Sequence, residues 1–421
     1  MSIVSAAAPR AGLVLSGGGM RGAYEVGVLV GVVDTLTRAG LARPGLFRFV
    51  AGTSVGAINA AFVAANSDRP DLGISRLCEI WKRLHLGTHL SIRAGAFIRS
   101  LLKGAEKAPA SVRLGRSLVD ARPLEQLVRE SIDWAQLHRN VSRDVLGGLF
   151  IAALEIATGL TIIFVEGSPN VHYAPSRDPR RRARFGPISS AHVLASAAIP
   201  LLFPAQRIGR SYYCDGGLRF NTPLAPVIRA GADRVFVIST THLRFAPVAT
   251  DDVAQARTLH QYPTATFIAG KILNALLLDP IDYDLQVLER TNHLLDVLDR
   301  VLTPEEQAAL EAVLSEQRGA PYRKVVPLIF APSEDLGVVA AEFLREHVDE
   351  LELDFVARHA FRRIAQSSKG KTADWLTYLL FDGKFADVLI DLGRRDVAAR
   401  ADEVIEFFRP IADDVATEIA L

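Results

Sequence analysis

Cysteine is nearly absent from this chain: Cys78 and Cys214 are the only two in 421 residues. Two thiols build no disulfide framework and show no metal-ligand spacing, so a reducing compartment fits and no metal is expected. An excess of one charge is missing too. Lys+Arg total 48 against 47 Asp+Glu, a formal charge of +1, where a nucleic-acid binder would show a marked basic surplus. The opening MSIVSAAAPR has no basic region followed by an apolar core, so residues 1–10 read as a short tail without a secretory signal. The expected location is the cytoplasm, with reversible contact at a membrane surface. No internal repeat or low-complexity segment is present. Uninterrupted apolar runs are also short. The longest candidate, Val145 to Val165, is broken by Glu155 and by turn chemistry at Ala157-Thr158-Gly159. Two strands, LFIAALEI and TIIFVEG, describe it better than a membrane span.

What is present is a globular composition, 49% hydrophobic and 23% charged, with ample material for a large core. The most informative stretch is FVAGTSVGAINA, Phe49 to Ala60. An apolar run, Leu46 to Ala51, stops at Gly52. Thr53, Ser54, Val55 and Gly56 follow, and then a helical pattern of small residues. The spelling G-x-S-x-G places Ser54 at the apex of a strand–turn–helix, and Gly52 and Gly56 leave room for the sharp bend. The Val55 amide at the helix start favours a developing negative charge. A glycine-flanked serine in an ordinary βα turn would be spelled the same way, so the motif needs support from elsewhere.

Upstream, AGLVLS ends in Gly17-Gly18-Gly19, and Met20, Arg21 and Gly22 lead into a helical pattern, AYEVGVLVGVVDTLTRAG. Two successive βα units predict an α/β class with a mainly parallel sheet covered by helices. Further on, DPRRRAR (178–184) reads as a solvated loop, with a lipid-headgroup contact as the sharper option. SSAHVLASAAIPLLFPA reads as a short helix stopped by Pro200. Gln206 to Tyr213 reads as a strand entering Cys214-Asp215-Gly216-Gly217, 223–230 as a helix and RVFVIST as a buried strand. Past about residue 250 the pattern turns helical, with leucine stripes such as that of Ile281 to Leu302 and one late strand at 325–330. The organisation expected is a catalytic unit over 11–245 and a helix-rich region over 246–421 that lends its strand to the sheet.

A nucleophilic serine needs a base and an oxyanion site. Glycines 17, 18 and 19, after a strand and before a helix, can present backbone N–H groups, and Arg21 could lend positive charge. Gly17, Gly19 and Gly22 also match G-x-G-x-x-G. That dinucleotide fingerprint wants an acid at the end of the second strand, and Ala51-Gly52-Thr53-Ser54 offers none. Asp215, on a tight turn before Gly216 and Gly217, is the best base candidate, although aspartate before glycine is common in plain turns. The competing arrangement is a Ser54–Asp215–His242 triad, with His192 and His172 equally available.

Taken together, GGGMRGAYEVGVL, GTSVGAINAA, ASAAIPLLFPA and DGGLRFNTPLAPVIRAGAD, in this order, closely resemble the patatin-like phospholipases over residues 11 to 240. The resemblance implies a three-layer α/β fold and a serine lipid acyl hydrolase using a Ser-Asp dyad without histidine, metal or cofactor. Carried over position by position, Ser54 is the nucleophile and Asp215 the base. Gly17, Gly18 and Gly19 line the oxyanion hole, with Arg21 at the family's basic position. Gly22, Gly52, Gly56, Gly216, Gly217, Asn221 and Pro223 support them. The implied partners are a lipid or fatty-acyl ester and, transiently, a membrane surface. Asp215 has an ordinary pKa of about 3.9 unless desolvated, so partial burial is expected of it. A retired fold acting as an adaptor is the non-enzymatic alternative, against which the intact Ser54, Asp215 and glycine loop speak.

Overall fold

The computed structural model describes residues 9–85, 91–92, 119–120, 122–200, 202–241, 281–318, 322–351, 377–378 and 380–410. Among these, β1 (Ala11–Leu15), α1 (Gly22–Arg38), β2 (Phe49–Thr53), α2 (Val55–Ala65) and α3 (Pro70–Lys82) open the chain. Then come α4 (Arg122–Ser131), α5 (Trp134–Ser142), β3 (Gly148–Glu155), β4 (Thr161–Gly167) and β5 (Arg181–Phe185). Next are α6 (Ser190–Ser196), β6 (Gln206–Ile208), β7 (Ser211–Asp215), α7 (Leu224–Ala230) and β8 (Arg234–Ile238). The rest is α8 (Ile281–Val301), α9 (Pro304–Arg318), β9 (Val326–Phe330), α10 (Leu336–His347), α11 (Gly383–Ala399) and α12 (Ala401–Phe408).

The strands form one sheet in the order β9-β8-β1-β2-β3-β4-β5, with β7 paired to β3 and β6. β9, β8, β1, β2 and β3 are parallel; β4 and β7 run antiparallel to β3. β1, β2 and β8 are apolar and buried on both faces, as central parallel strands covered by helices must be. The α/β class with a mainly parallel sheet is therefore the observed fold. Two apolar clusters lie on its two sides. One contains Leu13, Leu15, Val50 and Ile151 with α1, α2 and α11; the other contains Val14, Phe49, Phe150 and Val237 with α7.

The hydrophobic stretch 145–165 is the antiparallel β3–β4 pair, with Leu154 opposite Thr161. No helix among the described residues is long and apolar enough to cross a membrane. The arginine-rich 178–184 segment, expected as a loop, is corrected in part: Arg181–Phe185 is an edge strand parallel to β4. Two of its arginines find local partners. Arg184 meets Glu155 at 2.8 Å, and the Arg181 guanidinium lies 4.0 Å over the Phe220 ring.

The C-terminal elements do not stand apart as an appendage. β9 extends the sheet beside β8, and α11 runs along α1 inside the main core. Glycines make that approach: a Cβ on Gly27 would collide with the backbone of Ile390, and one on Gly393 would lie 2.6 Å from the Tyr24 carbonyl. Ala in a helix interior gains about 1 kcal/mol over Gly. Backbone cannot yield as a side chain can, and overpacking costs about 1–3 kcal/mol. Gly27→Ala is therefore expected to destabilise the protein by up to roughly 2 kcal/mol, read as a lower urea midpoint with an unchanged slope.

Candidate active site

Two chain segments meet on one edge of β3. β2 occupies that edge up to Thr53, opposite Ala152. β7 takes it over at Asp215, opposite Ala153. The residue following Thr53 and the last residue of β7 are thereby brought side by side. The Ser54 hydroxyl donates to Asp215 Oδ2 at 2.6 Å. Ser54 is 5% exposed and Asp215 not at all.

The turn at Ser54 is strained. Ser54 has φ 56° and ψ −127°, a region that non-glycine residues rarely enter and that costs about 1–3 kcal/mol. The surroundings hold it there. Ser54 N–H donates to Ser196 Oγ at 2.9 Å, and that hydroxyl donates to the Ala152 carbonyl at 2.6 Å. A Cβ on Gly56 would sit 2.5 Å from the Leu15 carbonyl, so only glycine lets α2 start against β1.

Asp215 is fixed from three sides. Its N–H donates to the Ala198 carbonyl at 2.9 Å, Oδ1 accepts from Gly217 N–H at 2.7 Å, and Oδ2 accepts from Ser54. Burial raises its pKa from the ordinary 3.8 to about 7, against the opposing pull of those two hydrogen bonds. The expected desolvation is thus complete rather than partial. Cys214, next to it, is buried and its thiol is pushed up to about 11.

The loop after Asp215 is tied to both strand ends. Thr53 Oγ1 donates to Phe220 O at 2.9 Å, and Ser16 and Thr222 hydroxyls lie 2.9 Å apart. Gly17 N–H donates to Asn221 O at 3.3 Å, while Gly17 O accepts from Thr240 Oγ1 at 2.6 Å and from Asn221 Nδ2 at 3.4 Å. Gly17 therefore shapes the loop, and its N–H is already engaged. Gly18, Gly19 and Val55 follow Gly17 and Ser54, each in the free first turn of its helix.

Arg21 differs most from expectation. It is buried, its Nε donates to Thr377 Oγ1 at 2.6 Å, and its guanidinium lies 4.3 Å over the Tyr378 ring. Gly19, at φ 59°, packs directly on the Tyr378 backbone, where a Cβ would collide. Thr377 and Tyr378, distant in the chain, thus brace the glycine loop. Tyr378 also packs with Ile199, Leu202, Phe203 and Leu218, an apolar group between that loop and the Asp215 turn. Beneath the elbow, Asn59 Nδ2 donates to Glu25 at 2.8 Å and Trp81 Nε1 donates to Asn59 Oδ1 at 3.1 Å. Glu25 is fully buried, and desolvation holds its carboxyl well above the ordinary range.

No histidine among the described residues is bonded to Ser54 or Asp215. His192 belongs to the capping box of α6 with Ser189 and packs 4.5 Å from the Phe164 ring. His172 is exposed, and His242 lies outside the described residues.

A family model described as Patatin-like phospholipase matches residues 13–228. The chain belongs to this family. Patatin-like phospholipases are serine lipid acyl hydrolases, a carboxylic ester hydrolase family, and the matched span runs from β1 through α7 and includes both Ser54 and Asp215. No curated protein matches the chain. Among solved structures it is similar to VipD from Legionella pneumophila, at 14% identity and TM-score 0.30, over 77% of this chain and 62% of that one. It is also similar to human GIVD cytosolic phospholipase A2 in complex with methyl gamma-linolenyl fluorophosphonate. That match has 13% identity and TM-score 0.33, over 95% of this chain and 59% of that one. The chain thus spans about three fifths of the length of each of these proteins.

The raised pKa has a stability consequence. Folded Asp215 keeps its proton up to about pH 7, whereas the unfolded residue releases it near 3.8. The native state binds more protons inside that window, so stability falls as pH rises through it and levels off above pH 7. Asp215→Asn removes this loss. Relative to wild type it should gain up to about 4 kcal/mol at pH 8 and little at pH 4, measured by urea unfolding at both values.

Proposed function

We propose that this member of the family hydrolyses fatty-acyl esters of lipids through a Ser54–Asp215 dyad. The observation that carries the reading is the 2.6 Å hydrogen bond between two buried groups, with the second carboxylate oxygen held by Gly217 N–H. A carboxylate of pKa about 7 is matched to proton transfer near neutrality, which an ordinary aspartate is not.

Asp215 Oδ2 takes the Ser54 proton as Oγ attacks the ester carbonyl. The N–H groups of Gly18, Gly19 and Val55, at helix starts beside Ser54, are the oxyanion donors in this reading; one such donor is worth about 10²–10³ in rate. Collapse breaks the bond to the alcohol, which leaves with the proton from Asp215. Water then attacks the acyl-enzyme, giving up its proton to Asp215, and Ser54 is regenerated with release of the fatty acid. The apolar group of Ile199, Leu202, Phe203, Leu218 and Tyr378 beside the dyad suits an acyl chain. Gly17, Asn221, Thr240, Ser196 and Arg21 act as positioning residues, holding the loops that carry the reacting groups.

The test is turnover of a medium-chain p-nitrophenyl ester and of phospholipid vesicles. Ser54→Ala and Asp215→Asn should each lose at least about 10³-fold in kcat/KM, while His192→Ala and His242→Ala keep most of it. For wild type, kcat/KM should rise tenfold per pH unit below neutrality and level off above about pH 7, since the ionised carboxylate is the base. A loss in His242→Ala equal to that in Ser54→Ala would replace the dyad with a triad. A wild type inert on both substrates would favour the adaptor reading.

A further inference from the structure

The charge of this chain is balanced in total and unbalanced in space. Between residues 176 and 234 there are ten arginines and three acids, within a protein of formal charge +1. Part of that surplus sits at the rim of the sheet on the active-site side. β3 continues past the end of β2 through Ala153, Leu154 and Glu155 before turning at 156–159. This carries the turn beyond the level of Ser54 by roughly 10 Å at 3.3 Å per residue. The β6–β7 hairpin rises beside it, with Ile156 N–H donating to the Tyr212 carbonyl at 2.9 Å.

Cross-strand register decides what this rim presents. Arg207 lies opposite Tyr212, and directly opposed residues share a face. Ile156 follows Glu155, which is opposite Tyr213, so Ile156 falls on the same face as Tyr212. Ile156 and Tyr212 are each 49% exposed. Arg210 stands at the hairpin tip, and the Arg219 guanidinium comes up against Gly159 of the neighbouring turn. Arg207 donates only to its own hairpin, at the Gly209 carbonyl, and among the described residues Arg207, Arg210 and Arg219 have no acidic partner. The rim is therefore an aliphatic and a tyrosyl side chain ringed by three uncompensated guanidinium groups.

We propose that this rim docks the protein on an anionic lipid surface. The inference rests on the reading of the substrate as a membrane-borne acyl ester. Tyrosine has the amphipathic ring that settles at headgroup level, an aliphatic neighbour adds apolar area, and each nearby arginine gains from the negative surface potential. Tyr212 lies three residues before Asp215 on the same strand, about 10 Å away along it. A bilayer bound here lies at the end of the sheet where Ser54 and Asp215 meet. Of the arginines of β5, Arg184 is engaged by Glu155 and Arg181 by the Phe220 ring, while Arg182 is exposed on the edge strand and lies outside this contact.

The experiment is co-sedimentation of the full chain, in a Ser54→Ala background, with vesicles of phosphatidylcholine alone or with phosphatidylglycerol, at low and high salt. Parallel esterase assays use the same rim substitutions with Ser54 intact. Binding should require phosphatidylglycerol and weaken with salt. Arg207→Gln combined with Arg210→Gln should lower the partition coefficient roughly thirty-fold, from about fivefold per arginine. Tyr212→Ser should weaken what remains, and turnover of the soluble ester should be unchanged in each variant, which shows that they fold. If the double variant binds as wild type does, if salt and phosphatidylglycerol make no difference, or if no vesicle is bound, the proposal is overturned; the last result points to a protein partner. Binding is read apart from turnover. An enzyme inert on esters that still binds as described would leave the docking surface standing and remove only the hydrolase reading.

Discussion

The site depends on a handover along one edge of β3. Ala152 is the last residue there to pair with β2, and Ala153 the first to pair with β7. Because β2 arrives parallel and β7 antiparallel, both strands end at the same point, and Ser54 meets Asp215 without a long side chain having to reach. Two short side chains suffice for the 2.6 Å hydrogen bond. The backbone carries the positioning, through Ser196 between Ser54 N–H and Ala152 O and through Ala198 O on Asp215 N–H.

The same closeness sets the electrostatics. A carboxylate sealed between β3 and the glycine loop loses its hydration, and two hydrogen bonds restore only part of it, so its pKa rises to about 7. Burial would thus give the proposed base its strength. Stability is lost at the pH where Asp215 is ionised, and the strained Ser54 backbone adds to that load. The rest of the fold supplies the compensation. The two-sided apolar core, the α1–α11 contact through glycines and the braces on Gly17 and Gly19 are distributed over the whole chain.

What the sequence made legible follows from how local each signal is. The elbow at Ser54 is spelled in five residues because strand, bend and helix start are local requirements. The glycine turn after Asp215 is also local, as are the strand pair at 149–165 and the alternation of β and α units, but the single strand expected over 206–213 is the hairpin β6–β7, turning at Gly209 and Arg210. Their meeting is non-local and came only from the order of four separated motifs. The braces are the least visible. Thr377 and Tyr378 sit far from Arg21 in the chain and belong to no motif or periodic stretch, yet they hold the loop. Arg21 read as a charge for the site because its neighbour in space was not its neighbour in sequence. The arginine run at 178–184 hid an edge strand, since alternation is masked when both faces are charged. Helices past residue 281 were plain from their stripes, but a stripe does not say against what it packs. α11 proved to be core against α1.

The most direct measurement is the rate at which a fluorophosphonate labels the protein as a function of pH, followed by intact mass and located by peptide mapping. Fluorophosphonates report the activated nucleophile without requiring the right lipid. The dyad account predicts a single adduct on the peptide bearing Ser54. Its rate should climb with pH to a plateau with a midpoint near 7, and the adduct should be absent in Ser54→Ala. An adduct on another residue, or a rate on Ser54 that is flat from acid to alkaline pH, would contradict the claim that buried Asp215 is the base.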